Sequence, residues 1–345
     1  MFELTLLRKT GNMKKYILVK LLILNAFLSF GQKNLLVWSD EFDLDTVNAA
    51  NWNFDIGNGT NGWGNNESQY YTNRPQNVKI DSGILVITAL KESYNGYQYT
   101  SARLHTKNKA YWKYGRIEMR AKLPKGRGTW PAFWMLPQQQ IYGSNYWPDN
   151  GEIDIMEYVG YEPSVVHGTV HTHENYGGSS ISRTITYYGV ENDFHVYAIE
   201  WTPEIIRFYV DSYYYGSYQK LGHAWNYWPF DQNFFLLLNF AIGGNWGGAQ
   251  GIDNTIFPQT YKIDYVRVYD MNLNNIHGSN SNTDEIYVSP NPSQGNFKLY
   301  INNPNQNDYQ VSIFDAIGNQ VIPPVKCKSG ESGFEINNLK PGIYF

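Results

Sequence analysis

From Leu35 to Tyr269 the hydrophobic and polar positions follow the two-residue rhythm of strands, broken by turn residues. Arg116-Ile-Glu-Met-Arg-Ala-Lys-Leu123 switches between charged and apolar at every step, as a half-buried antiparallel strand does. Gly83 to Leu90 is a short apolar, β-branched run. Phe194 to Trp201 and Ile205 to Val210 read as two strands separated by Thr202-Pro203-Glu204. Phe234 to Ile242 is more continuously apolar and ends in Gly243-Gly244; Tyr261 to Tyr269 alternates again. No long amphipathic helix is patterned in this span. Many short strands with turns between them predict an all-β sandwich or barrel. About 240 residues suits one large domain of that class.

The pattern changes twice outside this span. Residues 271–284 are rich in Asn, Ser and Gly and suit a flexible linker. A second, small β domain follows over 285–345, with short strands at Ile286-Tyr-Val-Ser289, Gly295-Asn-Phe-Lys-Leu-Tyr300, Gln310-Val-Ser-Ile-Phe314 and Leu339 to Phe345. At the other end, Lys14-Lys15, an apolar run to Phe30 and Ser29-Phe30-Gly31 have the form of a secretory signal peptide. Met13 is the expected start, and residues 1–12 read as an upstream extension. Lys20 interrupts a run already short for a membrane span, so none is expected in the mature chain. Residues 32–270 remain as the main domain.

Composition narrows the ligand. Aromatic residues make up 17% of the chain and equal the charged fraction; 29 Tyr, 17 Phe and 11 Trp exceed what a core alone needs. Each buried Trp needs a partner for its N–H. Flat apolar rings at a groove suit sugar faces, which makes carbohydrate the expected ligand. A net charge of −4 without a basic cluster argues against nucleic acid. The single cysteine, Cys327, excludes an intramolecular disulfide, so the exported protein relies on its core.

One stretch carries concentrated chemistry: Gly151-Glu152-Ile-Asp154-Ile-Met-Glu157-Tyr158. On a strand, Glu152 and Asp154 share one face and Ile153 and Ile155 the other. Simple alternation would then send Glu157 into the core, at a cost of several kcal/mol for an unpartnered carboxylate. One extra residue absorbed in a β-bulge near Ile155-Met156 returns Glu157 to the face of the other two acids. Crowded carboxylates cannot all ionise, so at least one should hold its proton unusually well, as a general acid must. The two glutamates would lie about 13–16 Å apart at their Cα atoms. That spacing leaves open whether the carboxyl gap suits a retaining or an inverting glycosidase. A helix, a calcium loop or a merely solvated acidic face each fits the interleaved isoleucines less well.

Glu152-Ile-Asp-Ile-Met-Glu157 resembles the active-site strand of glycoside hydrolase family 16 in its bulged subgroup. So do Trp63-Gly-Asn-Asn-Glu-Ser-Gln-Tyr-Tyr-Thr72, Tyr114 to Pro124, Trp130-Pro-Ala-Phe-Trp-Met-Leu136, His167-Gly-Thr-Val-His171, Asp193 to Trp201 and Ile263 to Tyr269. Together they look like the endo-β-1,3-glucanases, or laminarinases, of that family. The resemblance implies a β-jelly-roll sandwich with a substrate cleft across its concave sheet. It implies Glu152 as nucleophile, Glu157 as acid/base and Asp154 as the residue that tunes the nucleophile. The implied reaction is double displacement, with no cofactor in the chemistry. Trp130 and Trp134, four apart on one strand face, match positions that stack glucose rings. Asn65, Arg103 (in an expected strand from Thr100 to Thr106) and His171 match polar cleft positions. Trp246 matches a loop edging the cleft. Many relatives hold a structural Ca2+, for which Glu41, the backbone of Gly83 and Asp264 are the matching positions. The 285–345 unit resembles the C-terminal sorting domain of the type IX secretion system through Ser289 to Gly295, Phe314 to Asn319 and Leu339 to Phe345. That family continues past the final aromatic, so a truncated end is expected.

The expectation is therefore a secreted or cell-surface, monomeric, retaining endo-β-1,3-glucanase acting on laminarin-type β-glucan and exported by type IX secretion machinery. A mixed-linkage glucanase, a red-algal galactan hydrolase and a non-catalytic glucan-binding sandwich are the alternatives.

Overall fold

The computed structural model describes residues 35–220, 222 and 224–271 and, further on, the backbone of five strands. The expected signal peptide at 1–31, nearly all of the linker and the sorting-domain turns lie outside the described residues. The chain divides into two compact units, Met1–Asn274 and Asn275–Phe345.

The first unit is a jelly-roll sandwich of two sheets. One has seven antiparallel strands, in the spatial order Ile181–Thr186, Val165–His171, Glu152–Glu157, Thr129–Pro137, Phe234–Ile242, Arg103–His105 and Asn53–Asp55. The other has ten strands. Its main path runs Tyr213–Gln219, Ile205–Val210, His195–Trp201, Gly115–Lys122, Gln259–Asp270, Ile84–Tyr94, Tyr97–Ser101 and Gln69–Tyr71. Leu35–Asp40 and Val78–Asp81 pair off this path. Among the described residues the only helical pieces are short turns at Gly62–Asn66 and Gly177–Ser179.

Period-two side chains build the core between the sheets. Ile117, Met119 and Ala121 of one sheet meet Phe133, Met135, Ile153 and alternate residues of Phe234–Ile242 from the other. All nine residues of Phe234–Ile242 are buried. Phe234, Leu236, Leu238, Phe240 and Ile242 face the core. Asn239 and Ala241 lie opposite Ala132 and Trp130, beneath the functional side chains of the other face. Gly168 is required by a close approach: a Cβ there would meet Phe208 at 2.5 Å.

One expected strand is two. Thr100 to Thr106 breaks at Ala102, whose methyl group is buried in the core. Tyr97–Ser101 belongs to the ten-stranded sheet and Arg103–His105 to the seven-stranded one. The chain changes sheets there, and this delivers Arg103 to the sheet that carries Glu152–Glu157.

In the second unit, Glu285–Ser289, Phe297–Asn302 and Gly333–Ile336 form an antiparallel sheet, and Tyr309–Phe314 pairs with Gln320–Cys327.

Candidate active site

The catalytic strand Glu152–Glu157 carries the expected bulge. Against Thr129–Pro137 the register shifts between Asp154 and Met156. Against Val165–His171 it shifts between Asp154 and Glu157. Ile153, Ile155 and Met156 all enter the core. Two successive inward residues are what the extra position allows, and they return Glu157 to the face of Glu152 and Asp154. Gly151 precedes the strand, and its φ of +82° and close approach to Phe230 favour glycine. The preceding loop is tied by two buried side chains. Asn150 Oδ1 accepts from the N–H groups of Ile141 and Tyr142, each at 2.7 Å. Asp149 Oδ2 accepts from Ser144 and Asn145.

Asp154 is 2% exposed and nearly enclosed. Burial, then the neighbouring charge of Glu152 and a hydrogen bond with it, push its carboxyl well above the usual range. A protonated Asp154 donates to Glu152. Glu157 is also raised well above the usual range, by burial first and then by Asp154; His171 and Trp130 oppose the rise. Trp130 Nε1 donates to Glu157 Oε1 at 3.0 Å. His171 Nε2 lies 3.2 Å from Asp154 Oδ2 and 3.7 Å from Glu152 Oε1. His171 Nδ1 accepts from the N–H of Gly177, which places the ring proton on Nε2, facing the acids. Asp154 Oδ2 makes no aligned hydrogen bond despite this proximity.

The rings divide into two roles. Trp134, half-buried, donates from Nε1 to Asn239 Oδ1 at 2.7 Å. Arg103 lies over its ring at 4.9 Å and over Trp63 at 4.4 Å. Asp55 fixes the same guanidinium at 2.9 Å. Trp130 was expected as an open stacking ring, but it is 8% exposed and packs against the edge of Trp246 at 5.5 Å. Its N–H serves Glu157 and its face is largely covered. Asn65 sits on an exposed turn held in left-handed conformations at Asn61, Trp63, Gly64 and Asn66. Its carbonyl accepts from Asn245 N at 2.7 Å, which ties this turn to the glycine-rich loop carrying Trp246.

Several residues of the site escaped the sequence reading. His167 stands opposite Glu157 and meets Trp246 edge-on at 4.9 Å. Period two from His171 through Thr169 reaches His167, so the signal was present. Trp147 is 40% exposed and lies 6.0 Å from the His171 ring. Asp55, Tyr71 and Asn239 come from distant segments and carried no local signal.

The residues expected around calcium are otherwise engaged. Arg267 donates to both Glu41 oxygens, at 2.9 and 2.7 Å. Arg120 holds Asp264 at 2.5 Å. Gly83 is an open turn with φ +77°. Oxygen donors suit calcium, but with both carboxylates paired to guanidinium groups the arrangement does not fit the ion. Glu152, Asp154 and His171 form the one cluster of metal-ligating type among the described residues. The roles above account for all three.

Residues 65–267 match the family model for Glycosyl hydrolases family 16. Residues 285–345 match that of the Secretion system C-terminal sorting domain. A Beta-glucanase of Rhodothermus marinus is 54% identical over 243 residues, spanning 68% of this chain and 84% of that protein. The X-ray structure of the laminarinase from Rhodothermus marinus superposes with a TM-score of 0.67 at 53% identity, covering 69% of this chain and 98% of its own. The laminarinase from Flavobacterium sp. UMI-01 gives 0.64 at 44% identity, covering 68% and 100%.

Proposed function

Because the chain belongs to glycoside hydrolase family 16, we infer that it is an exported endo-β-1,3-glucanase that cleaves laminarin-type glucans by double displacement. The observation that carries this reading is the bulged strand, which brings Glu152, Asp154 and Glu157 to one face, where burial raises the carboxyls of Asp154 and Glu157 above their ordinary range. The names of the similar proteins, beta-glucanase and laminarinase, support it.

Glu152, the least enclosed of the clustered acid pair, attacks the anomeric carbon. Asp154 donates to it and orients the attacking oxygen. Glu157 keeps its proton through burial and gives it to the leaving glycosidic oxygen. The glycosyl-enzyme ester is then opened by water, whose proton returns to Glu157. Trp134 offers its ring to a glucosyl unit, while Asn65, Arg103, His171 and Trp246 supply the polar and aromatic walls. Trp130 acts on substrate through Glu157.

The sorting domain implies export to the medium or the cell surface. The finer proposal is a cleaved signal peptide within residues 13–31, release through the type IX machinery and a monomeric enzyme. No helix among the described residues is long and apolar enough to cross a membrane.

Reducing-end release from laminarin, mixed-linkage glucan and agarose tests the substrate. Laminarin is expected to give the highest kcat/KM; agarose or mixed-linkage glucan in first place would overturn the linkage assignment. Binding without release would mark a non-catalytic sandwich. The calcium expected from the family is tested by melting with EDTA and with added calcium. The arginine pairs at Glu41 and Asp264 predict no difference; a clear rise with calcium would restore Glu41, Gly83 and Asp264 as ligands.

A further inference from the structure

Glu67 is a further buried acid on this side of the molecule, 8% exposed and outside the reaction just described. Its Oε2 accepts two hydrogen bonds, from Gln69 Nε2 at 2.6 Å and from Tyr71 Oη at 3.1 Å. Tyr71 Oη in turn accepts from Asn239 Nδ2 at 3.1 Å. Asn239 Oδ1 accepts from Trp134 Nε1 at 2.7 Å. Every donor in this row has one target, so the direction is fixed from the half-buried ring to the buried acid. Tyr71 is wholly buried and cannot exchange its partner for water. Burial raises the Glu67 carboxyl above its ordinary range, and the Gln69 hydrogen bond, the charge of Arg103 and the Tyr71 and Asn65 side chains oppose the rise. Gln69 uses its other end to hold the N–H of Ile242, at the end of the strand that carries Asn239.

We propose that Glu67 is a positioning residue: through Tyr71 and Asn239 it fixes the plane of the Trp134 indole. With Asn65 and Arg103 beside it, Glu67 orders that wall of the glucan site. This rests on the glucanase reading for its substrate. Glu67 touches no reacting atom. A fixed stacking ring holds ground state and transition state alike, so its loss falls on KM rather than kcat.

Three variants of the full chain test the relay. Tyr71→Phe keeps the buried ring and removes the hydroxyl. Glu67→Ala removes the acceptor. Glu67→Gln can keep an oxygen at the Oε2 position, toward both donors. Tyr71→Phe and Glu67→Ala are expected to raise KM for laminarin by about 5- to 30-fold with kcat changed less than about 3-fold. Glu67→Gln should stay within about 2-fold of the unaltered enzyme on both. The Trp134 indole N–H resonance, assigned by its loss in Trp134→Phe, should move in the first two variants and hold in the third. An unmoved resonance in Tyr71→Phe, or equal losses in Glu67→Gln and Glu67→Ala, overturns the relay. The resonance is read without substrate, so it tests the relay even if the unaltered enzyme fails on laminarin, which would sink only the parent reading.

Discussion

The two sheets place acidic residues on their outward faces in opposite company. On the ten-stranded sheet four acids meet an arginine: Glu41 with Arg267, Glu118 and Glu200 with Arg116, and Asp264 with Arg120. Glu41 is held below the usual carboxylate range, by the Arg267 hydrogen bonds first. On the seven-stranded sheet Glu152, Asp154 and Glu157 have no arginine or lysine partner, and His171 is the nearest base. There burial governs, and Asp154 and Glu157 go up instead. Even the bulges differ. The one at Ile263/Tyr265 turns two neighbours, Asp264 and Tyr265, outward; the catalytic one turns Ile155 and Met156 inward. The same side chain on the same kind of strand is thus an ionised structural pair or a proton store, according to whether a cation faces it.

The sharpest way to break this contrast is to remove a carboxyl from the face that carries Glu152, Asp154 and Glu157. Glu152→Ala or Glu157→Ala should lower kcat by at least about 10³-fold. Near-normal turnover in either would refute the assigned roles.

A smaller effect tests the proton. Folding raises the Glu157 carboxyl, so the folded state accommodates its neutral form fully below the unfolded value of about 4.3 and loses stability as pH rises toward the folded value. Glu157→Gln never ionises. It should match the unaltered protein at about pH 4 and melt about 2–4 °C higher by pH 8, a difference near 1 kcal/mol for a domain of this size. A constant difference across pH would show that Glu157 is not raised.

The smallest effect belongs to the other sheet. Arg267→Ala should cost at most about 1 kcal/mol, less at high salt, with turnover unchanged. A large loss of activity would mean that the two faces are coupled.

The catalytic strand was legible because its information is local. The interleaved isoleucines set the phase, and the cost of burying Glu157 demanded the bulge. The break at Ala102 was not legible, since Thr100 to His105 carries neither Gly nor Pro and each half reads as strand. Trp130 was placed on the correct face, yet its covering by Trp246 depends on a loop over a hundred residues away. The Glu67 row could not be read for the same reason: Tyr71 and Asn239 stand 168 residues apart. The calcium positions followed the family pattern, whereas Arg120 and Arg267 reach those acids only once the strands are paired.

The ten-stranded sheet has a further consequence, for the order of assembly. Gln259–Asp270 is the last strand of the first unit in sequence, yet it lies between Gly115–Lys122 and Ile84–Tyr94 and also pairs with Leu35–Asp40. Until that segment arrives, three strands keep open edges, and pairing Leu35 with Asp270 closes a loop of more than two hundred residues. Such distant closure makes folding slow. A chain still emerging from a ribosome or a membrane pore therefore remains unfinished, and prone to stick to its neighbours, until almost the whole of the unit is out.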